Sequence, residues 1–253
     1  MSPLLSRAAF LVLVLGLGLG SPAASGEAPA PDLVYREVTV GGGRGHLLEI
    51  DLTTAGLRVL DSRAWGKKAM TAAEFAVASG AAAVINAPFF DIDGSPMGLL
   101  VVDGDRKQKL RRADWGVFYI DASGAHIVHT SEYAGTSGVQ QAFQVGPRLV
   151  VGGEALALKP QSARRTAVCV RPSGKVLAVV THGAVQATDL AGFLREEGCV
   201  DALNLDGGPS SQMWVSSGDV AMHEPGGTAV PIAVGVFPGR PASHKNPGGG
   251  CGG

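Results

Sequence analysis

The residues Asn204-Leu205-Asp206-Gly207-Gly208-Pro209-Ser210-Ser211 set an amide, a carboxylate, two glycines and two hydroxyls in one short segment. The apolar Ala202-Leu203 before them reads as the end of a buried strand, and Gln212-Met213-Trp214-Val215 after them as another. Gly207 and Gly208 can take positive φ and bring backbone N–H groups close to a ligand. Successive N–H groups of that kind form an anion-binding concavity. Asp206 beside them is a candidate acid, base or ligand to a sugar hydroxyl. A turn stabilised by its own Asx side chain is the plainer reading. On these residues alone both stay open.

Other candidates lie upstream. Asn86 follows the apolar Val84-Ile85 and leads into Ala87-Pro88-Phe89-Phe90. The two phenylalanines either stack on a sugar or fill the core, and for Phe the core is the commoner place. Asp91-Ile92-Asp93-Gly94 has the opening of a calcium loop but lacks the bidentate Glu at loop position twelve. Arg148 stands between the turn Gly146-Pro147 and a strand, and Arg165-Thr166 opens another strand. Arginine forks match phosphate oxygens, although most arginines are solvated surface charges. His182 follows the apolar Val176 to Val180 and is either a proton carrier or a hydrogen-bonded structural imidazole. Asp189 reads as an N-terminal helix charge or cap.

Short apolar or alternating runs bounded by turn residues must position these groups. Such runs span Tyr35 to Val40, Leu47 to Leu52, Leu57 to Leu60, Gly98 to Val102, Val117 to Ile120, Ala125 to His129, Arg165 to Val170, Lys175 to Val180 and Val230 to Phe237. Asp103-Gly104 is the pair favoured by tight hairpins. Two helices interrupt the strands. The first opens at Thr71-Ala72-Ala73-Glu74, a capping box, and stops at Gly80. The second runs from about Thr188 to Glu197 with Leu190, Phe193 and Leu194 on one face. Each is followed by Gly, an apolar strand and then Asn at the same distance: Gly80 to Asn86, and Gly198 to Asn204. The expectation is an α+β, strand-rich single domain, with two helix-strand units packed on a mixed sheet.

The chain has 253 residues and a formal net charge of −1, so nothing favours nucleic acid or an anionic membrane surface. Ser6-Arg7, the apolar run Ala8 to Leu19 and the small residues Pro22-Ala23-Ala24-Ser25 read as a secretory signal over residues 1–25. The run is shorter than the roughly 20 residues of a membrane span. No stable membrane span is therefore expected after processing. A linker over 26–33, a domain over 34–240 and a disordered Gly-rich tail over 241–253 follow. The expected location is exported, either periplasmic or secreted. Of three cysteines, Cys169 and Cys199 lie in strand-like segments. They either pair or form two buried thiols. No His or Cys stands at zinc-ligand spacing, so neither metal nor cofactor is expected.

In their order these segments resemble the phosphodiester glycosidase family. The resemblance runs from about Leu47 to Phe237. It is carried by Asn86 to Phe90, Gly94 to Asp103-Gly104, Gly146-Pro147-Arg148-Leu149-Val150, Arg165-Thr166-Ala167 and Asp201 to Gly208. Two departures stand out: Pro209 where the family usually has a third Gly, and Ala87-Pro88 before the aromatic pair. The resemblance implies hydrolysis at a sugar anomeric carbon with a phosphate ester leaving, on a sugar-phosphate or glycan substrate. It implies Asp206 as the catalytic group with His182 in reserve. It also implies Asn86, Arg148, Arg165, Thr166, Asn204, Gly207, Gly208 and Ser210 as substrate-binding residues. The competing class is a non-catalytic module that binds a cell-envelope glycan or phosphopolymer with the same residues.

Overall fold

The computed structural model describes residues 33–135 and 137–239. The expected signal segment, the Gly-rich tail and Cys251 lie outside the described residues, as does all of the expected linker except Leu33.

Within 33–239 the short apolar runs become strands, whose successive side chains point to opposite faces. In the strand Gly43–Ile50, Leu47 and Leu48 point to opposite faces and both are buried. That requires cover on both sides of the sheet. The sheet has seven strands, in the order Leu33–Val40, Gly43–Ile50, Val176–Thr181, Thr166–Val170, Asp201–Asn204, Arg148–Val151 and Glu154–Ala155. A five-stranded sheet is ordered Val220–Glu224, Met213–Ser217, Ala83–Asn86, Ile232–Pro238 and Ala55–Asp61. A second five-stranded sheet is ordered Asp105–Gln108, Leu100–Val102, Gln141–Val145, Gly116–Asp121 and Gly124–His129. One apolar core draws on all three, with Leu48, Val168 and Leu203 meeting Ile85, Val234 and Phe118.

Two helices cover outer faces. Helix α1 (Ala72–Ser79) is capped by Thr71 and Glu74 in a reciprocal box and ends at Gly80 in the left-handed region. Its Phe75 and Ala76 pack on Val84 and Ala233 of the first five-stranded sheet. Helix α2 (Ala187–Glu196) packs Leu190, Ala191 and Leu194 on Leu47, Leu177 and Val179 of the seven-stranded sheet.

Strand-rich α+β describes the molecule, with strands dominant. The expected mixed sheet is corrected, since every strand pairing among the described residues is antiparallel. The reason lies in the two helix-strand units, which do not share a sheet. Ala83–Asn86 sits between Met213–Ser217 and Ile232–Pro238. Asp201–Asn204 sits between Thr166–Val170 and Arg148–Val151. A parallel pair would need the two units side by side, joined by a crossover.

Cys169 and Cys199 form a disulfide across 30 positions of chain, which resolves the choice left by sequence. It ties the strand Thr166–Val170 to the segment entering Asp201–Asn204. A loop of that length constrains the unfolded chain by about 2–4 kcal/mol. The double variant C169S/C199S should lose about that much stability in urea unfolding. Identical midpoints for the variant and the oxidised native protein would contradict this role.

Candidate active site

One end of the seven-stranded sheet gathers the residues singled out by sequence. The register sets Arg148 opposite Leu203, Asn204 opposite Ala167, Thr166 opposite Val180 and Val180 opposite His46. Arg148, Asn204, Thr166, His182 and His46 therefore stand at the same end of five neighbouring strands. The first five-stranded sheet adds Asn86 at its own strand end.

Asn86 joins the two sheets. Its Nδ2 donates to the Asp206 carbonyl at 2.7 Å. Its Oδ1 accepts from Thr166 Oγ1 at 2.8 Å and from the Gln212 N–H at 3.1 Å. The Asp206 N–H donates in turn to Ala87 O at 3.0 Å. Thr166 Oγ1 also lies 3.1 Å from Ser211 Oγ. An amide oxygen cannot donate, so the Thr166 proton goes to Asn86 and Ser211 donates to Thr166. Asn86 and Thr166 are both buried. They were expected to touch substrate, and in the structure they hold the loop that carries Asp206.

The Asp206 carboxylate accepts from the Gly207 N–H at 3.0 Å and from the Ser210 hydroxyl. Burial pushes its pKa above the usual carboxylate range, outweighing these two hydrogen bonds. The Gly208 N–H donates to Arg164 O at 2.8 Å. The N–H groups of Ser210 and Ser211 close on Gly207 O and Gly208 O, each at 3.2 Å. The expected anion cradle is thus corrected, because the N–H groups of Gly207, Gly208, Ser210 and Ser211 already have acceptors within the protein. Gly207 is required because a Cβ there would sit 2.8 Å from Arg164 O. Gly208 is required by its φ of 59°. Pro209 lies in the 3-10 turn Gly208–Ser210, and its carbonyl accepts from Gly227 and Thr228.

The two expected arginines differ. Arg148 is half-buried, and among the described residues its guanidinium has no hydrogen-bond or ion-pair partner. Arg165 is buried and turned to the carbonyls of Gln161 and Val185, with no carboxylate paired to it among the described residues. Burial lowers its pKa. Asn204 is buried as well. Its Nδ2 donates to Leu205 O at 2.7 Å, while its Oδ1 has no donor among the described residues. Such an atom calls for a donor from water or ligand.

The phosphodiester glycosidase family profile matches residues 79–237, which include Asn86, Arg148 and Asp206. The chain belongs to the phosphodiester glycosidase family. Among solved structures it is similar to the zebrafish N-acetylglucosamine-1-phosphodiester alpha-N-acetylglucosaminidase catalytic domain auto-inhibited by its pro-peptide. The TM-score is 0.66 at 17% identity, over 85% of this chain and 86% of that one. It is also similar to a hypothetical protein from Synechocystis (TM-score 0.57, 18% identity, 84% of this chain and 64% of that one). A third is a Burkholderia pseudomallei protein named as exported (TM-score 0.57, 15% identity, 78% and 74%). At these identities the likeness is one of fold. Comparison with curated proteins gives no match.

In this phosphodiester glycosidase family member, sequence reasoning passed over two groups of residues at the same end of the sheet. Glu224, at the end of Val220–Glu224, lies opposite Met213. Its buried carboxylate takes Arg164 Nη2 at 2.7 Å, His182 Nδ1 at 2.9 Å and His46 Nε2 at 3.2 Å. Burial alone would raise its pKa. The hydrogen bonds from His182 and His46 and the Arg164 charge outweigh that and hold it lowered. The second group is Trp115, which meets Phe89 edge to face at 5.3 Å and carries Arg111 over its ring at 5.5 Å. Gly146 leaves it room, since a Cβ there would lie 2.8 Å from Trp115 Cδ1. Its neighbour Gly116 abuts Arg148, where a Cβ would lie 3.1 Å from Arg148 Cγ. The one sequence signal for Trp115 is an aromatic directly followed by a glycine, Gly116.

Proposed function

We propose that this chain is an exported hydrolase that cleaves the glycosidic bond of a sugar-1-phosphodiester. The observation that carries the reading is the half-buried Asp206 carboxyl, its pKa raised by burial, just past the strand next to the one that begins with Arg148, whose guanidinium has no partner among the described residues. A carboxylate made more basic by burial is suited to take a proton from water. Water oxygen then bonds to the anomeric carbon. The bond from that carbon to the phosphate oxygen breaks, and its electron pair leaves on the phosphate. The cationic guanidinium of Arg148 faces that growing negative charge. A phosphate monoester has a second pKa near 6, so its departure calls for only modest acid help. Asn204 Oδ1, a buried acceptor lacking a donor, suits a sugar hydroxyl. Trp115 and Phe89 offer an apolar wall for a sugar ring. The zebrafish relative's name points to N-acetylglucosamine 1-phosphate esters as first substrates to try.

Export rests on the apolar leader and on the disulfide, which suits an oxidising compartment. No helix among the described residues is long and apolar enough to cross a membrane.

The test is incubation with a panel of sugar-1-phosphodiesters, following free reducing sugar. Release of sugar from at least one member is expected. Tight binding of cell-envelope phosphopolymers with no sugar released would replace this reading with that of a binding module. Within the panel, R148A should lower kcat/KM about 10–100-fold, the worth of one charge-assisted contact. Its melting temperature should match the native protein's, since the Arg148 guanidinium has no hydrogen-bond or ion-pair partner among the described residues. Undiminished kcat/KM in R148A would remove Arg148 from the phosphate site.

A further inference from the structure

The strand end beyond Gly208 carries an acid-base chain that the reaction above does not use. Arg164 links it to the Asp206 loop: its carbonyl accepts from the Gly208 N–H, and its guanidinium reaches Glu224 and Pro225 O. Glu224 is the centre of the chain. Its side chain is 7% exposed, whereas that of His182 is 54% exposed.

The donors settle which nitrogen of His182 carries the proton. Both Glu224 Oε2, at 2.9 Å, and Arg44 Nη2, at 3.3 Å, approach His182 Nδ1. Arginine only donates and an ionised carboxylate only accepts, so one nitrogen cannot serve both. The shorter contact, to the carboxylate, places the proton on Nδ1. Nε2 is left without a protein partner among the described residues. On the other side, Tyr35 O–H donates to His46 Nδ1 at 2.9 Å, so His46 Nε2 carries the proton toward the same Glu224 oxygen at 3.2 Å. With Arg164 on the second oxygen, the carboxylate receives three donors and is fixed in place.

We propose that Glu224 is a positioning residue that locks the His182 imidazole with Nδ1–H inward and Nε2 outward, making Nε2 the proton donor to the departing phosphate. This rests on the proposed hydrolysis of a sugar-1-phosphodiester. Asp206 follows the strand Asp201–Asn204 and His182 follows Val176–Thr181, with one strand between them. Two strand spacings are about 10 Å. That is close to the span that two acid-base groups leave for a water and a sugar carbon in inverting glycosidases. In the step, His182 starts as the imidazolium, having taken a proton on Nε2 from water; Nε2–H goes to the phosphate oxygen as the bond from that oxygen to the anomeric carbon breaks. His182 is left neutral with Nδ1–H still on Glu224. Its exposed face reloads a proton from water. The charged and titratable groups around the imidazole are Arg44 and Glu224, with Arg164 and His46 behind the carboxylate.

The test compares E224Q and H182A with the native enzyme on methyl and 4-nitrophenyl diesters of α-N-acetylglucosamine 1-phosphate. Both variants should lose about 100-fold in kcat on the methyl diester. The loss should shrink markedly on the 4-nitrophenyl diester, whose leaving phosphate is less basic. Equal losses on the two esters would assign Glu224 and His182 a merely structural role and overturn the proposal. H182A alters a half-exposed side chain, so it stays informative if E224Q folds poorly. Nitrogen-15 NMR of the histidine rings reads the tautomer without any turnover. Nδ1–H on His182 in the native protein, giving way to a mixture in E224Q, supports the lock. An unchanged tautomer in E224Q overturns it. If the native enzyme releases no sugar from any diester, the hydrolase reading fails, and the NMR result alone still decides whether Glu224 positions His182.

Discussion

D206N should reduce turnover of a sugar-1-phosphodiester by about 10³-fold or more while the protein stays folded, because a positioned acid-base group contributes about 10²–10⁴-fold. The amide keeps the size of the carboxylate and can still accept the Gly207 N–H seen at 3.0 Å. It cannot take a proton from water. Stability should move the other way. Burial raises the Asp206 pKa, so the folded state disfavours the charged form at every pH above the ordinary aspartate value of about 3.9. Asparagine carries no charge in either state. The variant should therefore melt at the same temperature as the native protein or higher at pH 7. That margin should disappear as pH falls below about 3.9, where the native carboxyl is protonated both folded and unfolded. Kinetics on the diester panel and melting curves from pH 3 to pH 8 read both effects. Full activity in D206N would remove Asp206 from the chemistry.

N86A should be the most damaging single change to the fold, at about 3–5 kcal/mol. Three buried groups lose their partner at once: the Asp206 carbonyl, the Thr166 hydroxyl and the Gln212 N–H. Each buried group left unpaired costs about 1–3 kcal/mol, and some of them can relax toward neighbours. N86D tests the same point more gently, since it keeps an acceptor for Thr166 and Gln212 and loses only the donor to Asp206. Urea unfolding should rank native, N86D and N86A in that order. If N86A were as stable as the native protein but lost substrate affinity, Asn86 would be a sugar ligand after all.

Much of the frame was legible from local chemistry. The Thr71–Glu74 capping box and the glycines at 80 and 198 marked the helix ends where they lie. Asp103-Gly104 forms the tight hairpin expected of it, with φ of 50° and 85°. The matched Asn86 and Asn204 do end two strands. Sheet membership was not legible, because period-two patterning fixes which face a strand buries and says nothing about which strand pairs with it. The site was read in outline and not in roles. Sequence identifies a group that can bind a ligand, but whether it is free depends on the long-range partner that folding supplies. Asn86 meets its partners 80, 120 and 126 positions away, and no local pattern shows them. Glu224 was missed because its strand, Val220–Glu224, has a weak pattern and gains meaning only from His46 and His182, distant in the chain.

The inward hydrogen bonds of the Asp206 turn also bear on timing. The backbone amides of Asp206, Gly208 and Gln212 all have acceptors within the protein. They should exchange with solvent deuterium only at the rate of global opening, among the slowest in the chain. A turn closed in this way is already in its working shape before ligand arrives. Its encounter with substrate then resembles a key entering a finished lock, and pre-steady-state binding should follow a single exponential whose rate rises linearly with ligand concentration.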